Sequence, residues 1–288
     1  MRGEGGVARQ VPVALRGVID PAALIRNDPC DAIYALGSFW PYFPMDPESR
    51  IVKTFKKCVP VTHYQPYITR LCAFYADIIV SRLEGHRPKW VTRVLSSAEE
   101  RCDPSRPQSL LLRLVCERTG AFEADVFYRS SSRPPMRVIK TLSGHETTIR
   151  RARYALQDLF LRPTRLAGSV LLIDDIMNTG ASMRIYAQAL KDYCEAESVI
   201  GINLAVTRFG ESDGWDRARL DLSAYPNTEG LRLVWVDHDG TYHAKRECNY
   251  REPNARCELA FTLDKQAGPC SECAKPQRAA RRFWFNWP

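Results

Sequence analysis

Two adjacent acids and a nearby turn of hydroxyl-bearing residues have the chemistry to bind a phosphorylated sugar. Asp174 and Asp175 follow an apolar run, and Thr179, Gly180 and Ser182 come shortly after them. Paired carboxylates suit ribose hydroxyls or a magnesium ion, and the two hydroxyl groups can donate to phosphate oxygens. Glycine has no side chain, so the backbone can approach a phosphate closely. These residue types in this order therefore predict a sugar-phosphate site.

The elements around these residues place them at one edge of a sheet. Residues 169–176 are apolar and rich in branched side chains, which is typical of a strand buried on both faces of a parallel sheet. Residues 182–193 have helical spacing, so the turn lies at a helix N-terminus, where free N–H groups and the helix dipole favour an anion. Ligands of open α/β sheets bind outside the carboxyl ends of the strands. The alternative is an ordinary strand-to-helix turn with a serine cap.

Alternating strand and helix patterns predict an α/β fold with a mostly parallel sheet flanked by helices. The predicted strands are 91–95, 124–128, 169–176 and 199–206, and the predicted helices are 109–118, 147–160 and 182–193. Helical spacing upstream predicts two more helices, over 48–55 and 66–83. Downstream, Asp239 and Gly240 between two extended segments predict a hairpin.

Changes in composition divide the chain into four predicted regions. Residues 1–30 are predicted to be a flexible arm, and residues 31–90 a helical and irregular region, here called the hood. Residues 91–210 form the predicted core. Residues 211–288 hold the hairpin, a candidate zinc-binding module and a basic, aromatic tail.

Composition and charge exclude several classes of protein. The chain has 288 residues, of which 45% are hydrophobic and 26% charged, so a wholly disordered chain is excluded. A net charge of +8 favours polyanionic partners. No apolar run approaches the ~20 residues of a membrane span, and the apolar run at 11–15 is too short for a signal peptide. Ten cysteines without a secretion signal argue against a disulfide framework. We therefore expect a cytoplasmic protein that does not associate with membranes.

Residues 170–182 resemble the phosphoribosyl-diphosphate (PRPP) signature of type I phosphoribosyltransferases. That signature is an apolar strand, two acids, two apolar residues, one variable residue, then Thr-Gly and a hydroxyl residue two positions on, here Ser182. Residues 91–95, followed by Ser96 and Ser97, resemble the first core strand and the diphosphate-binding loop. The ComF-like (competence protein F-like) subgroup is the most similar, because it has an upstream helix with serine and lysine, here Ser49 and Lys53. The core resemblance covers about residues 90–208.

The resemblance implies a pentosyltransferase that displaces diphosphate from PRPP with a nitrogen nucleophile, either a nucleobase or an amine, as part of nucleotide metabolism. It implies that Asp174 and Asp175 are the catalytic residues and hold the ribose hydroxyls, directly or through Mg²⁺. The residues implied for the 5′-phosphate are Asn178, Thr179, Gly180, Ala181 and Ser182. Those implied for the diphosphate loop are Ser96, Ser97, Arg101 and Arg106.

Asn178 departs from the purine-salvage members of the family, which have an aspartate there as a general base. An amide cannot accept a proton at neutral pH, so a purine-salvage mechanism of that kind is not expected. This departure keeps a second hypothesis open. The protein would then be a non-catalytic PRPP- or nucleotide-binding ComF-like protein that acts in DNA uptake, DNA processing or regulation.

Four late cysteines, Cys248, Cys257, Cys270 and Cys273, are candidate ligands of a structural Zn²⁺. The last two have the Cys-x₂-Cys spacing of a zinc knuckle, whereas the first two do not. His238 and His243 on the hairpin are alternative ligands, and free cysteines are the alternative to a metal site. ComF-like proteins often carry such a module at the N-terminus, so a C-terminal one departs from that pattern.

The C-terminal tail mixes arginines with aromatic residues, and these are Arg278, Arg281, Arg282, Phe283, Trp284, Phe285 and Trp287. Such a mixture is typical of single-stranded nucleic-acid binding. Four aromatic residues within five positions, however, more often dock into the core of the same chain or of a second subunit. A homodimer is a further expectation, because the resembled fold is often dimeric.

Overall fold

The computed structural model describes residues 11–41, 47–63, 67–83, 85–134, 145–208 and 231–236, and beyond these 238, 241–243, 248, 251, 256–261 and 271. In chain order the strands are β1 (Val13–Ala14), β2 (Ala32–Ala35), β3 (Ser38–Phe39), β4 (Trp90–Arg93), β5 (Phe122–Glu123), β6 (Phe127–Arg129), β7 (Leu159–Leu161), β8 (Gly168–Met177), β9 (Ala196–Thr207), β10 (Leu231–Val236), β11 (Tyr242–His243) and β12 (Arg256–Phe261). The helices are α1 (Ala23–Arg26), α2 (Pro47–Lys57), α3 (Tyr67–Arg82), α4 (Pro107–Thr119), α5 (His145–Leu156) and α6 (Ala181–Cys194).

Six strands form a central parallel sheet in the order β2-β9-β8-β4-β5, with β3 beside β9 on the same edge as β2. Every strand pair in this sheet is parallel. The longest pairing joins β8 to β9 and runs to Met177 opposite Val206. The predicted α/β class with a mostly parallel sheet is therefore confirmed.

Helices cover both faces of this sheet, which explains why residues 170–173 of β8 are all apolar. Val170 and Leu172 belong to the hydrophobic cluster that includes residues of α5 and α6. Leu171 and Ile173 belong to a second cluster that includes residues of α3 and α4. Successive side chains of a strand point to opposite faces, so every position of the run is buried. Burying one such side chain contributes about 1.5–3 kcal/mol to folding.

Residues 11–30 differ from the predicted flexible arm. Strand β1 pairs antiparallel with β7, and Leu15, Ile19 and Leu24 are buried in the cluster on the α5–α6 face. These apolar side chains anchor the segment to the core. Their spacing is neither helical nor alternating, so the sequence pattern does not predict that the segment is packed. The first ten residues lie outside the described part of the chain.

Two further differences concern short strands. Strands β2 and β3 fall in the predicted hood but belong to the central sheet. The predicted helix 147–160 ends at Leu156, and β7 follows as part of a small antiparallel sheet with β1 and β6. The rings of Tyr128 and Phe160 stack across β6 and β7, with 5.3 Å between their centroids, and this packing favours the strand.

The described part of the C-terminal region is a three-stranded antiparallel sheet in the order β11-β10-β12. Strands β10 and β11 pair with Trp235 opposite His243, which is the pairing that the Asp-Gly signal predicts. Within the described residues, no helix combines the length and the apolar character that a membrane crossing requires.

Candidate functional site

The strand order places the carboxyl ends of β4 and β8 side by side at a reversal point, here called the crevice. Strand β4 lies between β5 and β8, so the chain leaves β4 toward one side of the sheet and later returns on its other side. Open parallel sheets bind ligands at such a reversal point. The loop that follows β4 is the predicted diphosphate loop, and the turn that follows β8 is the predicted phosphate turn. The structure therefore brings both predicted loops to one crevice.

The two acids of β8 face opposite sides of the sheet. Asp174 is partly buried on the α5–α6 side, where it lies in register with the buried Asn203 of β9. Asp175 is buried and points toward α4 and α2, and its Oδ2 accepts a hydrogen bond of 3.2 Å from Gln108 Nε2. The same oxygen is 2.8 Å from Lys56 Nζ. The sequence alone does not predict that Gln108 and Lys56 contact Asp175, because both residues lie on helices that only the fold brings to β8.

Backbone hydrogen bonds hold both carboxylates in place. The amide of Asp175 donates to Asp174 Oδ1 at 2.8 Å, and the amide of Ile176 donates to Asp175 Oδ1 at 2.6 Å. Each carboxylate keeps an oxygen that these amides do not use. The acids are thus positioned before any ligand arrives.

The environment of the acids resists a full double negative charge. Burial raises the pKa of Asp174 to about 7, and the negative charge of Asp175 adds to the rise. The amide of Asp175 and the positive charges of Lys56 and Arg129 oppose it. A divalent cation would relieve this repulsion, and carboxylate oxygens are the donors that Mg²⁺ prefers. The acids therefore fit the predicted magnesium site in donor chemistry and in charge.

The phosphate turn depends on a glycine at its centre. Gly180 has a φ of 72° and caps the N-terminus of α6, a left-handed conformation that glycine adopts without strain. A Cβ atom at this position would lie 3.0 Å from Arg184 Nη1. That guanidinium nitrogen donates to the carbonyl of Thr179 at 2.9 Å. Arg184 thereby stabilises the turn through a hydrogen bond to its backbone. No motif in the sequence predicts this role.

The remaining residues of the turn are placed as a phosphate site requires. Thr179 and Ser182 are partly exposed, Ala181 is buried beneath them, and Asn178 is exposed at the entrance. Helix α6 has 14 residues, so its N-terminal N–H groups carry the positive end of a full helix dipole. The turn thus combines partly exposed hydroxyl residues with these N–H groups, a combination that suits an anion.

A buried ion pair shapes the predicted diphosphate loop. Arg93, at the end of β4, donates to Glu99 through two nitrogens at 3.0 and 2.6 Å. Glu99 also accepts from the amides of Ser96 at 2.7 Å and Asp103 at 3.1 Å. The buried Arg129 donates to the carbonyl of Ser96. The loop is therefore folded around a carboxylate.

The predicted diphosphate-binding residues take different positions in this loop. Ser96 and Ser97 are partly exposed, and Arg101 is exposed. Arg106 turns inward, with its Nε 3.3 Å from Glu99 Oε1, so part of its charge is neutralised by the loop itself. Arg93 and Glu99 were missed by sequence analysis, although an arginine inside an apolar strand is a signal of a buried ion pair.

Two of the residues considered for zinc come together in the C-terminal sheet. His243 Nδ1 and Cys248 Sγ are 3.3 Å apart, and both residues are buried. Cys257 on β12 lies opposite Trp235, which in turn lies opposite His243. His238 is exposed. In the described part of the chain no group of three metal-ligating side chains occurs.

Other predicted sites lie outside the described residues. These are Cys270, Cys273 and the arginine and aromatic residues of the tail after residue 271. The nucleic-acid and zinc hypotheses for them stay predictions.

No protein-family model matches this chain, and no curated protein matches it either. The resemblance to type I phosphoribosyltransferases therefore depends on the residues of β4, β8 and the loops that follow them.

Proposed function

We propose that this protein binds PRPP with Mg²⁺ and transfers its phosphoribosyl group to a nitrogen nucleophile, with release of diphosphate. One observation carries the proposal. The paired acids of β8, the turn that opens α6 and the loop after β4 border the crevice where the strand order reverses. PRPP has a ribose, a 5′-phosphate and a diphosphate. The acids suit the ribose, the turn suits the 5′-phosphate, and the loop is the predicted site of the diphosphate.

Each part of the crevice has one task in the proposed reaction. The bond between the ribose C1 and the diphosphate oxygen breaks, and its electron pair leaves with the diphosphate. A bond then forms from C1 to the acceptor nitrogen, which loses a proton to water. The carboxylates of Asp174 and Asp175 hold the ribose and stabilise the positive charge that develops on the ring. Bound Mg²⁺ would supply positive charge to the departing diphosphate.

Asn178 narrows the choice of acceptor. It is exposed at the entrance of the turn, and its amide does not remove protons at neutral pH. An acceptor for this site must therefore carry a nitrogen that is nucleophilic without help from this position, such as an amine. The same feature favours the second hypothesis, a non-catalytic ComF-like protein that binds PRPP or a nucleotide.

Diphosphate release from PRPP across a panel of amines and nucleobases tests the proposal. We expect release with at least one acceptor and a loss of roughly 100-fold or more in the Asp174→Asn, Asp175→Asn double variant. Asp192→Asn, an exposed change on α6, is the matched control. PRPP binding without release for any acceptor would favour the non-catalytic hypothesis. Absence of PRPP binding would overturn both.

A further inference from the structure

Lys56, on helix α2 of the hood, forms an ion pair with Asp175 Oδ2. This is the oxygen that a ligand of Asp175 would contact. Lys56 Nζ is 2.8 Å from Asp175 Oδ2, and Lys56 is 42% exposed whereas the aspartate side chain is 11% exposed. The carboxylate is held by the amide of Ile176 and by Gln108. The lysine is thus the partner that can move, and the aspartate is the one that cannot.

We propose that Lys56 is an exchangeable counter-ion, which neutralises Asp175 in the ligand-free protein and moves to the diphosphate when PRPP binds. The proposal rests on the proposed function. A ribose hydroxyl or Mg²⁺ at Asp175 Oδ2 displaces the ammonium group, because one carboxylate oxygen cannot serve all of them at short distance. The ammonium group thereby loses its contact with the carboxylate of Asp175, and a bound anion would replace that contact.

The position of Lys56 makes the diphosphate that anion. Gln108, which shares Asp175 Oδ2 with Lys56, is the second residue of α4 and directly follows Arg106 and Pro107 at the end of the diphosphate loop. Lys56 therefore contacts the same carboxylate oxygen as a residue that directly follows this loop. A flexible four-carbon side chain allows the ammonium to move between Asp175 and the loop without a shift of the helix.

Gln108 gives independent support for a ligand at this point. It is 6% exposed, and its Oε1 is buried without a hydrogen-bond partner among the described residues. A buried acceptor without a donor is costly to leave unpaired. A ribose hydroxyl beside Asp175 would donate a hydrogen bond to Gln108 Oε1. The same hydroxyl would displace Lys56 from Asp175.

Helix α2 does not depend on Lys56 for its position. Val52 and Phe55 of the same helix are buried in the core, and Ser49 Oγ accepts a hydrogen bond of 2.7 Å from the amide of Trp40. A Lys56→Met variant should therefore fold, which a melting curve checks. Lys57→Met changes an exposed lysine in the same turn and is the matched control.

Two ligands that differ only in the diphosphate test the exchange, and both are titrated in the presence of Mg²⁺. Ribose 5-phosphate has no diphosphate, so Lys56→Met should bind it roughly two- to fivefold more tightly, because a half-exposed competing ion pair is gone. PRPP should bind at least about tenfold more weakly, because a charge-assisted contact is lost. Lys57→Met should change neither.

Effects of opposite sign therefore support the exchange. Equal effects on both ligands, in either direction, or no effect at all, would overturn it while leaving the proposed function standing. Wild-type protein that binds neither ligand would instead overturn the proposed function and the exchange together.

Discussion

Arg93 and Glu99 form an ion pair inside the fold, with 2.6 Å between Nη2 and Oε1 and each side chain only 1% exposed. Arg93 also donates to Ser109 Oγ at 2.9 Å, so the pair joins the end of β4, the diphosphate loop and α4. The shape of the loop is therefore set by two charges that are buried inside the fold.

Breaking this pair should strongly destabilise the protein. Glu99→Ala leaves Arg93 buried without its carboxylate, which costs about 3–5 kcal/mol in comparable cases. Urea unfolding measures the loss. Glu195→Ala removes an exposed pair with Arg165, in which the side chains are 66% and 77% exposed, and should change the free energy of unfolding by less than about 1 kcal/mol. Similar losses in both variants would show that the loop does not depend on the buried pair.

Gly180→Ala should impair both folding and ligand binding. The left-handed backbone at φ 72° disfavours a side chain by about 1–2 kcal/mol, and the new Cβ would press on Arg184. Gly120 has a φ of 73° but nothing within 4 Å of a Cβ, so Gly120→Ala should lose stability alone. Unfolding and PRPP titration of both variants separate the two effects. Unchanged PRPP affinity in Gly180→Ala would remove this turn from the site.

The stability of the ligand-free protein should fall as the pH rises from about 4 toward 7. Burial and the charge of Asp175 raise the pKa of Asp174 to about 7, so the folded state keeps a proton that the unfolded state releases near pH 4. The stabilisation is present below the unfolded pKa and disappears as the pH passes the folded pKa. Asp174→Asn cannot titrate and should flatten this part of a melting-temperature profile. A slope that the variant shares with wild type would have another origin.

Asn178→Asp should weaken PRPP binding, whereas Asn178→Thr should leave it nearly unchanged. The aspartate adds a negative charge close to Asp174, Asp175 and the 5′-phosphate. At an exposed position we expect a penalty of roughly 1 kcal/mol after screening, which is about fivefold in affinity. Calorimetric titration at two salt concentrations measures it, and the penalty should shrink at the higher one. Tighter binding by the aspartate variant would contradict the placement of the phosphate turn.

A structural zinc ion should be lost when His243 or Cys248 is replaced. The ring nitrogen and the thiol lie 3.3 Å apart in a buried setting, which suits two ligands of one metal ion. Metal analysis should find about one zinc per chain in the wild type and far less in His243→Ala and Cys248→Ser. Cys116→Ser, a partly exposed cysteine on α4, should keep the metal. Wild-type protein that contains no zinc would contradict the prediction, and the contact between His243 and Cys248 would then be an ordinary buried one.

Local patterns predicted the parts of the site that lie on one continuous segment. The apolar run of β8, its two acids and the turn at Gly180 are neighbours in the chain, so spacing was enough. Lys56 and Gln108 reach Asp175 from two separate helices, and such contacts leave no trace in local periodicity. Strands of two residues, such as β3, are too short for any alternation to show.

The pairing of β2 with β9 has a consequence for how the chain folds. Residues 32–35 complete the edge of a sheet whose next strand begins at Ala196, so segments from opposite halves of the polypeptide must meet before the sheet is finished. Contacts between such distant segments slow folding. Until they form, β9 presents a row of unpaired backbone groups along a long apolar strand, which is a template for self-association.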